Sequence, residues 1–195
     1  MIRFGIVILT VLGLWFGGCT SKDTPMKSFV LQSPGGIPVV KNSPYRRQSI
    51  QVLYPESLKE KMNQRMYFSY SASEQGSYLN SQWSNDTGKL LQGITIQTLS
   101  NSKLFKGVVS YESTALADFR LESTVFEFAH RVRGEQSHAI VSIQYNLVST
   151  HSGKLLKSRR FNYMIPTKST DAEGYVDATN EAMRRLSRDL ITWIR

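Results

Sequence analysis

The chain has little cysteine: one residue, Cys19, in 195. A single thiol excludes any internal disulfide, so the core must hold without covalent staples. Histidine is also scarce, at three residues, His130, His138 and His151. A metal centre needs three or four close ligands, and no acidic or thiol residue completes a set around these three. They read as exposed strand-end residues, with His130 and His138 flanking a turn near Gly134. No Gly-x-Ser-x-Gly elbow is present. The pairs Gly17-Gly18 and Gly35-Gly36 lack the pattern of a phosphate-binding loop. These absences point away from an enzyme, and no cofactor is implied. Internal repeats and low-complexity segments are lacking as well. Acidic residues are few: 15 against 24 Lys and Arg, for a net charge of +9. Such a balance favours acidic partners, whether lipid headgroups, lipopolysaccharide or an acidic protein.

Long apolar runs are also absent, except at the start. Phe4 to Phe16 is continuously apolar apart from Thr10. Arg3 precedes the run, Gly17 and Gly18 follow it, and Cys19 comes next, ahead of polar Thr20-Ser21-Lys22-Asp23. A positive start, an apolar core shorter than the roughly 20 residues of a bilayer span, and small residues at the end make a secretory signal. The cysteine directly behind it is a lipid acceptor. An ordinary cleaved signal and an uncleaved anchor are the other readings of these residues. Phe16 stands where a lipoprotein signal usually carries Leu. Under the lipoprotein reading, residues 1–18 are the signal, 19–26 a lipidated tether, and 27–195 one domain. Thr20, rather than Asp, after the cysteine favours the outer membrane, facing the periplasm. Export makes nucleic acid an unsuitable partner despite the charge.

The remaining length suffices for a single domain with a real core. Strands are expected at 27–32, 49–54 and 65–70. A helix over 87–100, capped by Asn85 or Asp86, follows from the spacing of Leu90, Leu91, Ile94, Thr98 and Leu99. Trp83 should pack under its entry. Further strands follow at 106–111, 118–133, 137–149 and 155–165. Phe119, Leu121 and Val125 lie on one face of the second of these, Phe126 and Phe128 on the other, with a bulge or twist near Ser123-Thr124. The last three should form an antiparallel meander with one buried face. Thr170-Asp171-Ala172-Glu173 fits a capping box. It opens a final helix with Tyr175, Thr179, Ala182, Leu186, Leu190 and Trp193 on its apolar stripe. The fold class is therefore α+β, a mainly antiparallel sheet with two helices packed on one face.

Basic residues cluster at Arg46-Arg47, Arg131/Arg133, Lys157/Arg159/Arg160 and Arg184/Arg185/Arg188. Each is a solvated face or, if they converge, a docking surface for headgroups or an acidic partner. Tyr67, Tyr70 and Tyr78 read as core or rim.

In their order, several segments resemble the auxiliary lipoprotein component of ABC-type transport systems, the PqiC-like lipoproteins that accompany Mce-type transporters. They are Phe29-Val30-Leu31; Ile50 and Val52 with Pro55 and Leu58; Arg65-Met66-Tyr67-Phe68 ahead of Trp83; Ser102 to Val109; Asp118-Phe119-Arg120-Leu121 leading to Phe126-Glu127; and Ala178 to Ala182 through Leu186, Leu190 and Trp193-Ile194. The resemblance spans 19–195. It implies a non-catalytic adaptor at the outer membrane, working with an Mce-domain protein, its permease and its ATPase. The implied cargo is phospholipid or another hydrophobic molecule. Membrane lipids would hold the acyl anchor, and a ring of identical subunits is one implied assembly. A stand-alone lipid carrier and a structural lipoprotein of another envelope machine are the alternatives.

Overall fold

A computed structural model describes residues 24–195. Nine strands and two helices follow in the order β1 (Lys27–Phe29), β2 (Ser49–Val52), β3 (Glu56–Ser57), β4 (Arg65–Ser69), β5 (Gly76–Trp83), α1 (Thr87–Ser102), β6 (Gly107–Ser110), β7 (Phe119–Arg133), β8 (Gln136–Ser149), β9 (Leu155–Pro166) and α2 (Ala172–Ile194). Cys19 and the signal lie outside the described residues. None of the described helices is long and apolar enough to cross a membrane.

The expected meander is present: β7 pairs antiparallel with β8, and β8 with β9. Its cause is visible along β8, where Ala139, Val141, Ile143, Tyr145 and Leu147 alternate inward and are all buried. The other flank of β7 departs from a plain antiparallel sheet. Three short strands, β2, β3 and β4, line up along β7, each parallel to it. β6 adds parallel to β2 and β1 parallel to β5, while β5 runs antiparallel to β4. The sheet is therefore mixed. β5 has no counterpart among the expected strands. Its alternation is hidden because Leu79 points to solvent, 85% exposed.

The bulge in β7 falls between Val125 and Glu127, opposite Ile143 and Ser142. The extra residue is Phe126. Past it the inward series changes parity, so Phe128 returns to the core beside Val125 instead of sharing the far face with Phe126. Phe126 is left on the outer face under the Arg160 guanidinium, 3.7 Å from its ring centroid.

Both helices cover the inner face. In α1 the Asp86 side chain caps the first turn through the Lys89 amide at 3.2 Å. The Tyr54 hydroxyl donates to the same carboxylate. Tyr54 packs directly on position 88, where a Cβ would sit 2.4 Å from its ring, so any side chain there would displace Tyr54 from its bond to Asp86. In α2 the cap is Asp171, accepting from the Gly174 amide at 2.9 Å, one residue later than the expected capping box. Glu173 instead pairs with Lys27 at 2.8 Å. The helices meet through a buried bond from Thr98 Oγ1 to Ser187 Oγ, 2.9 Å, and Thr95 reaches the Tyr145 hydroxyl at 3.0 Å.

Trp83, expected under the entry of α1, ends β5 and is 1% exposed. Its ring lies against Phe128 of β7 (centroids 5.9 Å) and Tyr175 of α2 (5.6 Å). It ties the N-terminal strands to α2.

Candidate interaction surface

Residues 24–42 run beside α2 along its whole length. Thr24 and Pro25 line a hollow of about 410 Å³ with Asp171 and Glu173 at the start of α2. The Gln32 amide donates to Asn180 Oδ1 at 2.9 Å, midway. Pro38 to Asn42 line another hollow, about 390 Å³, with Ile191, Thr192 and Arg195 at its end. From Glu173 to Ile191 the helix rises about 27 Å at 1.5 Å per residue. The chain thus enters at one end of the domain and reaches the opposite pole by residue 41.

Loops converge at that far pole through a closed circuit of bonds. Val40 donates its amide to the Ser102 carbonyl at 2.8 Å, and Lys106 to Gln48 at 2.7 Å. Ser49 donates its amide (2.7 Å) and its hydroxyl (2.9 Å) to Asp118 Oδ2. Thr150 donates to the Asp118 carbonyl at 3.0 Å. Lys157 Nζ closes the circuit on the last carbonyls of α2, Trp193 at 3.1 Å and Ile194 at 2.9 Å, complementing the helix dipole. Beneath lies an aromatic triangle: Tyr45 stacks on Phe105 and sets its edge to Phe119, both at 5.4 Å. That packing fixes the 43–48 loop and the α1 exit.

These segments carry Lys41, Arg46, Arg47, Lys103, Lys106, Lys154, Lys157 and Arg195 against one acidic side chain, Asp118. Two backbone and hydroxyl donors from Ser49 already hold Asp118 and keep its carboxyl below the usual range. Seven of the eight cations are exposed, Lys157 being partly covered. Among the described residues, none of the eight is in a salt bridge. Lys103 takes the left-handed conformation, φ 57°, that ends α1. The pole thus holds most of the chain's excess positive charge.

The four basic clusters read from the sequence do not converge as a set. Arg46-Arg47 and Lys157 join the pole. Arg131 is held by Glu127 at 2.8 Å, at the end of β7 away from Asp118. Glu181 binds Arg184 at 2.5 Å and Arg185 at 2.7 Å on the flank of α2, and these cations keep its carboxyl low. Arg160 lies on the outer sheet face. Lys41, Lys103, Lys106, Lys154 and Arg195 were missed: each is isolated in sequence, and only loop packing gathers them.

The histidines also need correction. His151 is exposed, as expected, but His130 is fully buried. The bulge turns it inward, onto the ring of Tyr175 (centroids 5.1 Å, planes 5° apart). His138 pairs with Arg131, on the opposite face of the hairpin, so the two histidines do not meet. His130 Nδ1 lies 2.7 Å from the Tyr78 hydroxyl, which also reaches the Thr170 carbonyl at 3.4 Å. Donation from Nδ1 to Tyr78 and from Tyr78 to Thr170 satisfies that chain and leaves Nε2 a bare acceptor, without a partner. Protonation would place an N–H there with nothing to receive it. Burial accordingly pushes the His130 pKa down to about 4, Asp171 pulling upward and His138 adding to the fall.

A histidine whose folded pKa lies below its unfolded value withholds stability at acid pH. The protein should be fully stabilised above about pH 6.5 and should lose at most about 3 kcal/mol as pH falls to 4. Glu60, its carboxyl raised by burial beside Glu127, opposes the trend near pH 4.5. Urea unfolding at pH 7 and pH 5 should show the loss in the parent and a flatter profile in His130→Gln. Equal slopes would assign the acid sensitivity elsewhere.

Among the described residues, no three His, Cys, Asp or Glu side chains gather as a metal site. The hollows are surface grooves, and the space between sheet and helices is filled by Trp83, Tyr145, Tyr175, Met183 and Leu186. The chain is thus a two-layer α+β domain that presents a charged pole rather than an enclosed cleft. A family model described as "ABC-type transport auxiliary lipoprotein component" matches residues 30–191, and the chain belongs to that family. Its fold is similar to protein XCC0632 from Xanthomonas campestris, with TM-score 0.70, 18% identity, and 87% of this chain and 91% of that chain covered. An uncharacterised protein of known structure matches with TM-score 0.67 and 17% identity over 88% of this chain and 99% of that one. No curated protein matches the chain.

Proposed function

We propose that this chain is a non-enzymatic adaptor of an ABC/Mce-type system moving phospholipid or other hydrophobic cargo between the inner and outer membranes. Cys19 anchors it by acyl chains to the outer membrane, facing the periplasm, and an Mce-domain protein with its permease and ATPase is the partner. The supporting observation is the opposition of two ends. The tether joins the domain at the start of α2, and the cationic pole lies at the far end of the same helix. About seven tether residues span at most roughly 25 Å, so the tether end stays near the bilayer and the pole points into the periplasm. Cations there meet an acidic protein surface rather than the headgroups around the anchor. The filled core weighs against a stand-alone carrier.

Crosslinking in cells followed by purification tests this reading. Recovery of an Mce-domain protein or its permease supports it, and recovery of unrelated envelope proteins alone refutes it. Cys19→Ala should fold with an unchanged melting temperature but fail to complement a deletion, because two or more acyl chains are what make attachment lasting. Full complementation by the soluble variant would remove the anchor from the mechanism.

A further inference from the structure

We propose that the open edge of β9 is a docking strand that pairs, backbone to backbone, with an extended acidic segment of a partner protein. Among the described residues β9 pairs with β8 alone. Its irregular register lies at its start, between Leu147 and Val148 on the facing strand, and the rest is regular. A strand of twelve residues with one unpaired side is a template for another chain.

The edge can be read residue by residue. The Thr167 amide donates to the Ser137 carbonyl at 2.9 Å, which puts the odd-numbered residues of the strand in bonds to β8. The amides and carbonyls of Ser158, Arg160, Asn162 and Met164 therefore face away from the sheet, and all four residues are exposed. Pro166 continues that outward series, where its missing N–H costs no bond to β8.

Charge selects the occupant. β9 contains Lys157, Arg159 and Arg160 and no carboxylate. The two arginines project to opposite faces beside the open edge. Arg159 lies 5.0 Å over the Phe161 ring on the inner side; Arg160 is held on the outer side by Phe126 and by a 3.0 Å bond to Ser142 Oγ. An incoming strand with two successive acidic residues opposite Arg159 and Arg160 would meet a guanidinium on each face, adding selectivity to main-chain bonding. A second copy of β9 would bring another Lys157, Arg159 and Arg160 to the shared edge and no carboxylate to meet them. The partner depends on the adaptor reading above; the pairing itself does not.

The test uses the full chain in detergent with an extended synthetic peptide that carries a central Glu-Glu pair between Val and Thr residues, and the same peptide with Lys-Lys in place of the pair for comparison. In the free protein, amides 158, 160, 162 and 164 should exchange fast while 159, 161 and 163 are protected. The acidic peptide should protect the outward set, and the basic peptide should not. Asn162→Pro removes an outward N–H and no bond to β8. It should weaken peptide binding by up to about tenfold, with folding checked by circular dichroism, and Arg159→Glu should weaken it too. Unprotected outward amides with peptide, binding by both variants as tight as the parent's, or dimers through β9 in sedimentation would each overturn the proposal. If the peptide pairs but crosslinking recovers no transport component, the adaptor reading fails while the docking strand stands.

Discussion

Trp83→Ala will lower stability by about 3–5 kcal/mol, the range for emptying a large buried aromatic site. The ring has three attachments. It packs on Phe128 of β7 and on Tyr175 of α2, and its strand is bonded on both sides. The Trp83 amide donates to Gln64 at 2.7 Å, and the next amide, Ser84, donates to Phe29 at 2.6 Å. Alanine keeps those backbone bonds but removes the surface that joins β5 to the helix layer. The neighbouring rings are themselves fixed, Tyr175 by its stack on His130, so the cavity cannot collapse well. Natural domains hold only about 5–15 kcal/mol in total, and a melting-temperature fall of about 10 °C follows for a chain of this size. Denaturant unfolding followed by circular dichroism measures it. A loss below about 1 kcal/mol, the size expected of a surface substitution, would show that β1 and β5 are held to α2 by other contacts. Because, among the described residues, β1 is held to the rest of the sheet through β5 alone, the variant should also release the 27–32 segment to proteolysis before the meander unfolds.

The meander and both helices were legible because their apolar residues are periodic and the helices open on caps. β8 carries Val141, Ile143, Tyr145 and Leu147 at alternate positions, and Asp86 and Asp171 precede apolar stripes. The N-terminal strands were not legible in the same way. β2, β3 and β4 are two to five residues long, and a short strand carries no information about which neighbour it joins or in which direction. Their parallel placement is set by the open flank of β7, a tertiary fact. β5 failed for another reason, since Leu79 and Tyr78 disguise an alternation that ends in Trp83. The β7 bulge was anticipated, but two or three residues early, and that small error put Phe128 and His130 on the wrong face. One inserted residue inverts every side chain beyond it. The pole divides the same way. Arg46-Arg47 stands out as a pair in the sequence, but Lys41, Lys103, Lys106, Lys154 and Arg195 become neighbours only when Tyr45, Phe105 and Phe119 pack together.

The pole leads to the second large effect. Arg46→Glu, Arg47→Glu, Lys103→Glu and Lys106→Glu together should reduce capture of the acidic partner by roughly tenfold or more, chiefly by slowing association. All four side chains are exposed and none is in a salt bridge, so the fold should persist. Net charge alone is not the variable. Lys61→Glu, Arg65→Glu, Lys89→Glu and Arg133→Glu make the same change with exposed cations that also lack ion pairs but lie away from the pole. That control should capture the partner nearly as well as the parent. Salt gives an independent readout: exposed charges are screened beyond about 8 Å at physiological ionic strength and about 3 Å at 1 M. Parent binding should therefore fall steeply with added salt, while the pole variant, already weak, should respond little. Equal losses in both quadruple variants would reduce the effect to overall charge. Undiminished capture by the pole variant would make the pole a solvated surface and leave the β9 edge as the docking feature.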